Sequence, residues 1–162
     1  MRNGSTKVAL LQLCVSRHCL IFQFSCCDGI PKSLYDFLAN KKFTFFGVGI
    51  RSHANKLLVD YNLNVARTDE LGDLAAFKLT NTIPDYRESR FHGAGLKELA
   101  RDVLMKELPE NEYIPLSNWE RDFLRDKQVQ YASLDAFVSF KLAMDLMNRD
   151  CPTQRPGYFN DL

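Results

Sequence analysis

The feature that most constrains this chain is FTFFGVGI, residues 43–50, followed directly by RSHANKLLVDYN, residues 51–62. The first run is short, continuously apolar and closed by glycines. That pattern suits a strand buried on both faces. The second run reads as helix, with Ser52 as its N-cap. A strand, a tight glycine turn and a helix make a βα unit, and such a unit needs a parallel neighbour. Part of the sheet is therefore predicted to be parallel.

The remaining segments fit around that unit. KVALLQLCV (7–15) and CLIFQF (19–24) flank a short polar break and predict a β-hairpin. Pro31 suits the first turn of a helix over 31–40, with Leu34, Phe37 and Leu38 on its buried side. LNVA (63–66) reads as a further strand, and Thr68 as the cap of a helix over 69–79. Residues 81–94 and 109–118 read as loops. A helix over 95–108 carries Leu96, Leu99, Ala100, Val103 and Leu104 on one face, and a last helix spans 126–147. With 162 residues and 46% hydrophobic content, residues 7–148 suit one domain with its own core. Residues 1–6 and 149–162 read as loosely held termini. No apolar run approaches the length of a membrane span, so no membrane partner is expected.

Charge narrows the function classes. A net charge of +1 gives no field-wide attraction to nucleic acid, so any such binding has to come from a local site. The five cysteines, Cys14, Cys19, Cys26, Cys27 and Cys151, include no C-x-x-C pair. That argues against a disulfide framework and a zinc ribbon. Reduced thiols, in nucleus or cytoplasm, are the expectation. His18, His53 and His92 fit no ligand spacing with them. Lys41, Lys42 and the arginines at 87 and 90 are either solvated charge or phosphate contacts. Trp119 either packs under the last helix or stacks on a base together with Phe91 or Phe123.

The last helix poses the chemical question. On a helical wheel Val129, Ala132, Ala136, Phe140, Ala143 and Met147 share an arc. Asp135 falls at its edge beside Leu142 and Leu146, with Tyr131 one turn earlier. A carboxylate buried there is costly unless paired. The positions three and four residues away hold Ala132, Tyr131, Val138 and Ser139, so no cation on the same helix faces it. Its partner is a loop backbone, a distant arginine or a metal ion.

The segment SNWERDFLRDKQVQYASLDAFVSF resembles the third motif of the Werner-type 3′–5′ exonucleases, the tyrosine-bearing branch of the DnaQ-like, ribonuclease-H-like superfamily. KVALLQLCV, CLIFQF, FFGVGIRSHANKL and AGLKELARDVL match in order, so the resemblance runs from about Lys7 to Leu146, and the chain looks like the small single-domain plant members. It implies an α/β fold: a ribonuclease-H-like mixed sheet flanked by helices. It implies two-metal hydrolysis, with Mg²⁺ or Mn²⁺, of the terminal phosphodiester of single-stranded RNA or DNA. Asp135 is then a metal ligand and Tyr131 orients the attacking water, as a hydrogen-bonding group because an ordinary phenol titrates near ~10. Some relatives form hexameric rings, so homo- or hetero-oligomers are an implied partner.

The pattern is incomplete here. The second motif places an Asp where this chain has His53, after GVGI, Arg51 and Ser52. Imidazole suits transition metals better than Mg²⁺ and leaves His53 a degenerate metal position. The Asp-x-Glu of the first motif has no match: Asp69 and Glu70 are adjacent, and Asp85 and Glu88 are three apart. The expectation is an N-terminally truncated member lacking the usual first, central strand. The strands on either side would then pair directly, accept a strand from a partner chain, or leave the sheet unstable. The expected function is that of a weak or inactive exonuclease-family protein. The alternative is a catalytically degenerate nucleic-acid-binding or ring-assembly subunit.

Overall fold

The computed structural model describes residues 7–82, 90–110 and 113–149. The expectations for residues 1–6 and for the tail beyond Arg149, Cys151 included, lie outside these residues, as do Asp85, Arg87 and Glu88. The architecture is mixed α/β, as expected. The predicted hairpin forms from β1 (Leu10–Val15) and β2 (His18–Gln23), antiparallel from Leu10↔Gln23 to Val15↔His18. Ser16 and Arg17 close it, with Ser16 at a left-handed φ of 56°. α1 (Lys32–Leu38) follows, and Pro31 is its N-cap in extended conformation rather than a residue of its first turn.

The βα unit is present, with two corrections to its ends. β3 (Phe45–Gly47) runs parallel to β4 (Thr68–Glu70), and α2 (Ile50–Tyr61) crosses between them. The cap of α2 is Gly49, at φ 64°, and Ser52 lies inside the helix. Glycine reaches that conformation without a Cβ penalty. The end of the helix is satisfied from across the sheet: the Glu70 carboxylate accepts the N–H groups of Gly49 at 2.5 Å and Ile50 at 3.0 Å. The second strand forms at 68–70, not at 63–66. Leu63 is instead driven into the core at 0% exposure, and Ala66 donates its N–H to the Leu38 carbonyl at 2.9 Å. Thr68 is thus a strand residue, not a helix cap, and α3 (Leu71–Thr82) starts directly after β4.

α4 (Leu96–Leu104) is shorter than the predicted 95–108 but buries Leu99, Ala100 and Val103 from the expected face. Glu98 accepts the Gly95 N–H at 2.9 Å, and Met105 ends the helix at φ 55°. Residues Asn81 and Thr82, predicted as loop, belong to α3. α5 (Asp126–Asn148) packs on β1, β2 and β3 as well as on α3 and α4.

Among the described residues β1–β2 and β3–β4 are separate two-stranded sheets, so the two apolar strands do not pair directly. Two clusters of buried side chains lie beneath them. One holds Leu71, Leu79, Phe91, Leu99, Leu142 and Leu146; the other holds Leu11, Phe24, Leu34, Leu38, Leu57 and Leu63. α5 turns a slightly different face inward than the wheel suggests. Gln128, Ala132, Val138, Leu142 and Leu146 are buried, while Val129 and Met147 are exposed. This rotation puts Asp135 on the line of the buried stripe rather than at its edge.

Candidate functional site

Tyr131 and Asp135 sit one turn apart on α5 and meet. The Tyr131 hydroxyl lies near enough to the Asp135 carboxylate for each to influence the other's titration. Both line a cavity of about 320 Å³ together with Gly95, Leu96 and Lys97 at the start of α4, Leu108 and Pro109 beyond its end, and Leu134. Asp135 is half-buried, and burial pushes its carboxyl above the usual carboxylate range; the Tyr131 hydroxyl and the Lys97 ammonium pull the other way without cancelling it. Burial also raises the Tyr131 phenol, helped by the Asp135 charge. Tyr131 is therefore a protonated donor at neutral pH. Among the described residues no arginine or backbone N–H holds the Asp135 carboxylate; the groups that bear on it are the Tyr131 phenol on its own helix and, at longer range, the Lys97 ammonium on α4.

A turn before α5 packs beside Tyr131. The Trp119 ring lies 6.3 Å from that of Tyr131, tilted by 50°, and its indole N–H donates to the Pro115 carbonyl at 3.1 Å. The two rings named with it in sequence lie elsewhere: Phe91 is buried in the core at 1% exposure, and Phe123 stands in solvent at 85%. Trp119 is fixed by a residue that sequence reasoning passed over. Gln128, only 3% exposed, accepts the Arg125 N–H at 3.0 Å and donates to Ser117 Oγ at 3.0 Å and to the Asn118 carbonyl at 2.9 Å. The available signal was a glutamine aligned with Ala132 and Asp135 at helical spacing.

The other predicted ligand does not join this site. His53 is exposed on the first turn of α2 and does not line the cavity. Asp69 is exposed, and the Glu70 carboxylate is committed to the cap of α2. Asp73 pairs with Arg51 at 3.5 Å and with His92 at 2.9 Å. Among the described residues no three His, Cys, Asp or Glu side chains gather closely enough to hold a metal ion. A divalent cation such as Mg²⁺ asks for several carboxylate oxygens. One carboxylate, with a phenol and a lysine on the same cavity, meets only part of that demand. Of the candidate phosphate contacts, Arg90 is ion-paired to Asp102, and Lys41 and Lys42 are exposed.

Comparison with known proteins adds a second line. A family model described as 3′–5′ exonuclease matches residues 1–149. The chain is 33% identical over 137 residues to a 3′–5′ exonuclease of Arabidopsis thaliana, covering 84% of this chain and 44% of that protein. It is 34% identical over 137 residues to exonuclease 3′–5′ domain-containing protein 2 of Homo sapiens, covering 83% of this chain and 21% of that one. It is 33% identical over 144 residues to the bifunctional 3′–5′ exonuclease/ATP-dependent helicase WRN of Mus musculus, covering 88% and 10%. The chain thus spans less than half the length of these relatives. Crystal structures of the EXD2 exonuclease domain align with TM-scores of 0.47 for the domain and 0.46 for the domain soaked in Mn, each at 30% identity. The first covers 93% of this chain and 73% of that one, the second 90% and 72%.

Proposed function

The chain belongs to the 3′–5′ exonuclease family, and on that premise we propose that the Tyr131–Asp135 cavity receives the 3′ end of single-stranded RNA or DNA and supports only weak hydrolysis. The observation that carries this reading is the cavity itself. It places a half-buried carboxylate, a phenolic donor, a lysine and the N-terminal turn of a helix around one opening.

Each group has a chemical use there. Lys97 and the first turn of α4 present positive charge to a phosphate. The Tyr131 hydroxyl can hold a water or a phosphate oxygen by its hydrogen bond. Leu96, Pro109 and Leu134 offer apolar surface to a base or sugar. In this family's reaction Mg²⁺ or Mn²⁺ would supply charge stabilisation of the attacking and leaving oxygens. Asp135 is the residue here that would hold such an ion, and with His53 outside the cavity it has no second carboxylate beside it. This shortage supports weak or absent turnover rather than full activity.

The test uses 5′-labelled single-stranded RNA and DNA with Mg²⁺ or Mn²⁺, beside Asp135→Asn. Slow, metal-dependent shortening that the variant lacks is the expected result. Identical background shortening and identical strand binding by both proteins would defeat the reading. Background shortening by both, with binding weakened in the variant, would instead favour a degenerate nucleic-acid-binding or ring-assembly subunit, a role supported by the missing second ligand.

A further inference from the structure

Cys14 and Cys19 face each other across β1 and β2 with their sulfurs 2.6 Å apart. That is inside non-bonded contact and not far from the roughly 2.05 Å of an S–S bond. The register explains the closeness. The loop Ser16–Arg17 closes on the Val15↔His18 pair. A two-residue hairpin loop closes on a hydrogen-bonded pair, so the next pair outward is a non-hydrogen-bonded one. There the Cα atoms lie about 4.5 Å apart and the side chains come closest. That separation lies within the range a disulfide accepts. Both cysteines are only partly buried, so small reagents reach them.

We propose that Cys14 and Cys19 form a reversible dithiol–disulfide site, oxidised by low-molecular-weight disulfides such as oxidised glutathione. In the first step the Cys19 thiolate attacks one glutathione sulfur, breaks the glutathione S–S bond and releases one glutathione thiolate. Cys14 then gives its thiol proton to that first glutathione thiolate and, as a thiolate, attacks the Cys19 sulfur of the mixed disulfide, expelling the second glutathione as a thiolate that takes up a proton from water. Two protein thiols are oxidised by two electrons, and one glutathione disulfide is reduced to two thiols. The same exchange run backward by excess thiol reopens the pair.

The surroundings fit this order of events. Attack by Cys14 needs its thiolate, and the Cys14 thiol is pushed up to about 12, by burial first and then by Cys19, so this second step is the slow one. Cys26 and Cys27 donate instead to the carbonyls of Asp122 at 3.0 Å and Phe24 at 3.3 Å. The bridge would close a very short ring, so it constrains the unfolded chain little. Its effect is local and reaches α5, because the Cys19 S–H points at the Ser133 carbonyl at 3.6 Å. Ser133 stands between Tyr131 and Asp135 in sequence. The inference holds whether or not the exonuclease reading does.

The purified full chain is equilibrated in glutathione buffers running from reduced to oxidised, quenched with an alkylating agent, cut with trypsin and read by mass spectrometry. Trypsin cleaves after Arg17, so the link would join two peptides. The expected result is joint loss of alkylation at Cys14 and Cys19, a linked peptide pair lighter by two hydrogens, and full reversal by dithiothreitol. A Cys26→Ser/Cys27→Ser protein should retain the link, and Cys19→Ser should lose it while keeping its circular dichroism. Alkylation of both thiols across the whole range would overturn the proposal. So would a bond mapping to Cys26, Cys27 or Cys151, or joining two chains. The wild-type map decides the matter even where a variant fails to fold.

Discussion

The Tyr131 phenol stands beside the Asp135 carboxylate one turn further along α5, on the same stripe that buries Val138, Leu142 and Leu146. A carboxyl held above its usual range by burial is a strain on the fold whenever it is ionised. The folded state then binds a proton more tightly than the unfolded chain does, so stability falls as pH rises from the unfolded carboxylate range through the raised folded value. Asp135→Asn keeps an acceptor for Tyr131 and removes the titration. Thermal midpoints of wild type and variant should therefore converge in acid and separate toward neutral pH, with the variant the more stable. A separation of the opposite sign would mean that Tyr131 and Lys97 outweigh burial.

Gln128 offers a cleaner structural test. Replacing it with Leu strands the Arg125 N–H and the Asn118 carbonyl near a buried position and takes a donor from the Ser117 hydroxyl, which keeps its own bond to the Ile114 carbonyl. A loss of about 1–3 kcal/mol in urea unfolding is expected. Trp119 is the chain's single tryptophan, so its emission reports the same event. It should shift to the red as the turn loosens from Tyr131, and an unchanged spectrum would place the anchoring of Trp119 elsewhere.

At Gly72 two effects compete. Alanine inside a helix ordinarily gains about 1 kcal/mol over glycine. Here a Cβ would run into the Phe91 carbonyl, and overpacking against backbone costs about 1–3 kcal/mol. Gly72→Ala should therefore lower the urea midpoint, against the helix-propensity trend.

Lys97 bears on ligand rather than fold. It is exposed beside the cavity, and a phosphate contact there is sequence-independent. Lys97→Ala should weaken single-strand binding uniformly across sequences and reduce the slope of log affinity against log salt by about 1. A salt slope equal to wild type would remove Lys97 from the ligand path.

The parts that were legible in sequence share a local cause. The hairpin and the βα unit announce themselves because apolar runs and turn residues act within a few positions. The strand Thr68–Glu70 does not, being three residues long and polar; its register comes from β3, some twenty residues away. LNVA misled for the converse reason, since Leu63 is apolar to fill the core and not to enter a sheet. Ser52 lost the cap of α2 to Gly49 because Glu70 supplies the acceptor from another strand. The wheel of α5 was rotated slightly because its inward face answers at once to the cluster it shares with α3 and α4 and to the strands of the hairpin. The wheel singled out Tyr131 and Asp135, the resemblance gave them a chemical role, and only the fold brought Lys97 to the cavity they share. Gln128 stayed hidden because polarity patterning assigns glutamine to water.

α5 lies across both small sheets, with its later turns in the Leu99–Leu142–Leu146 cluster and its earlier ones against the hairpin. Such a strut has unequal footings. In amide hydrogen exchange the turns from Val138 to Leu146 should open last, together with α3 and α4. The turns around Tyr131 should breathe with the hairpin instead, so whatever loosens β1 and β2 would be felt at the cavity before the rest of the molecule yields.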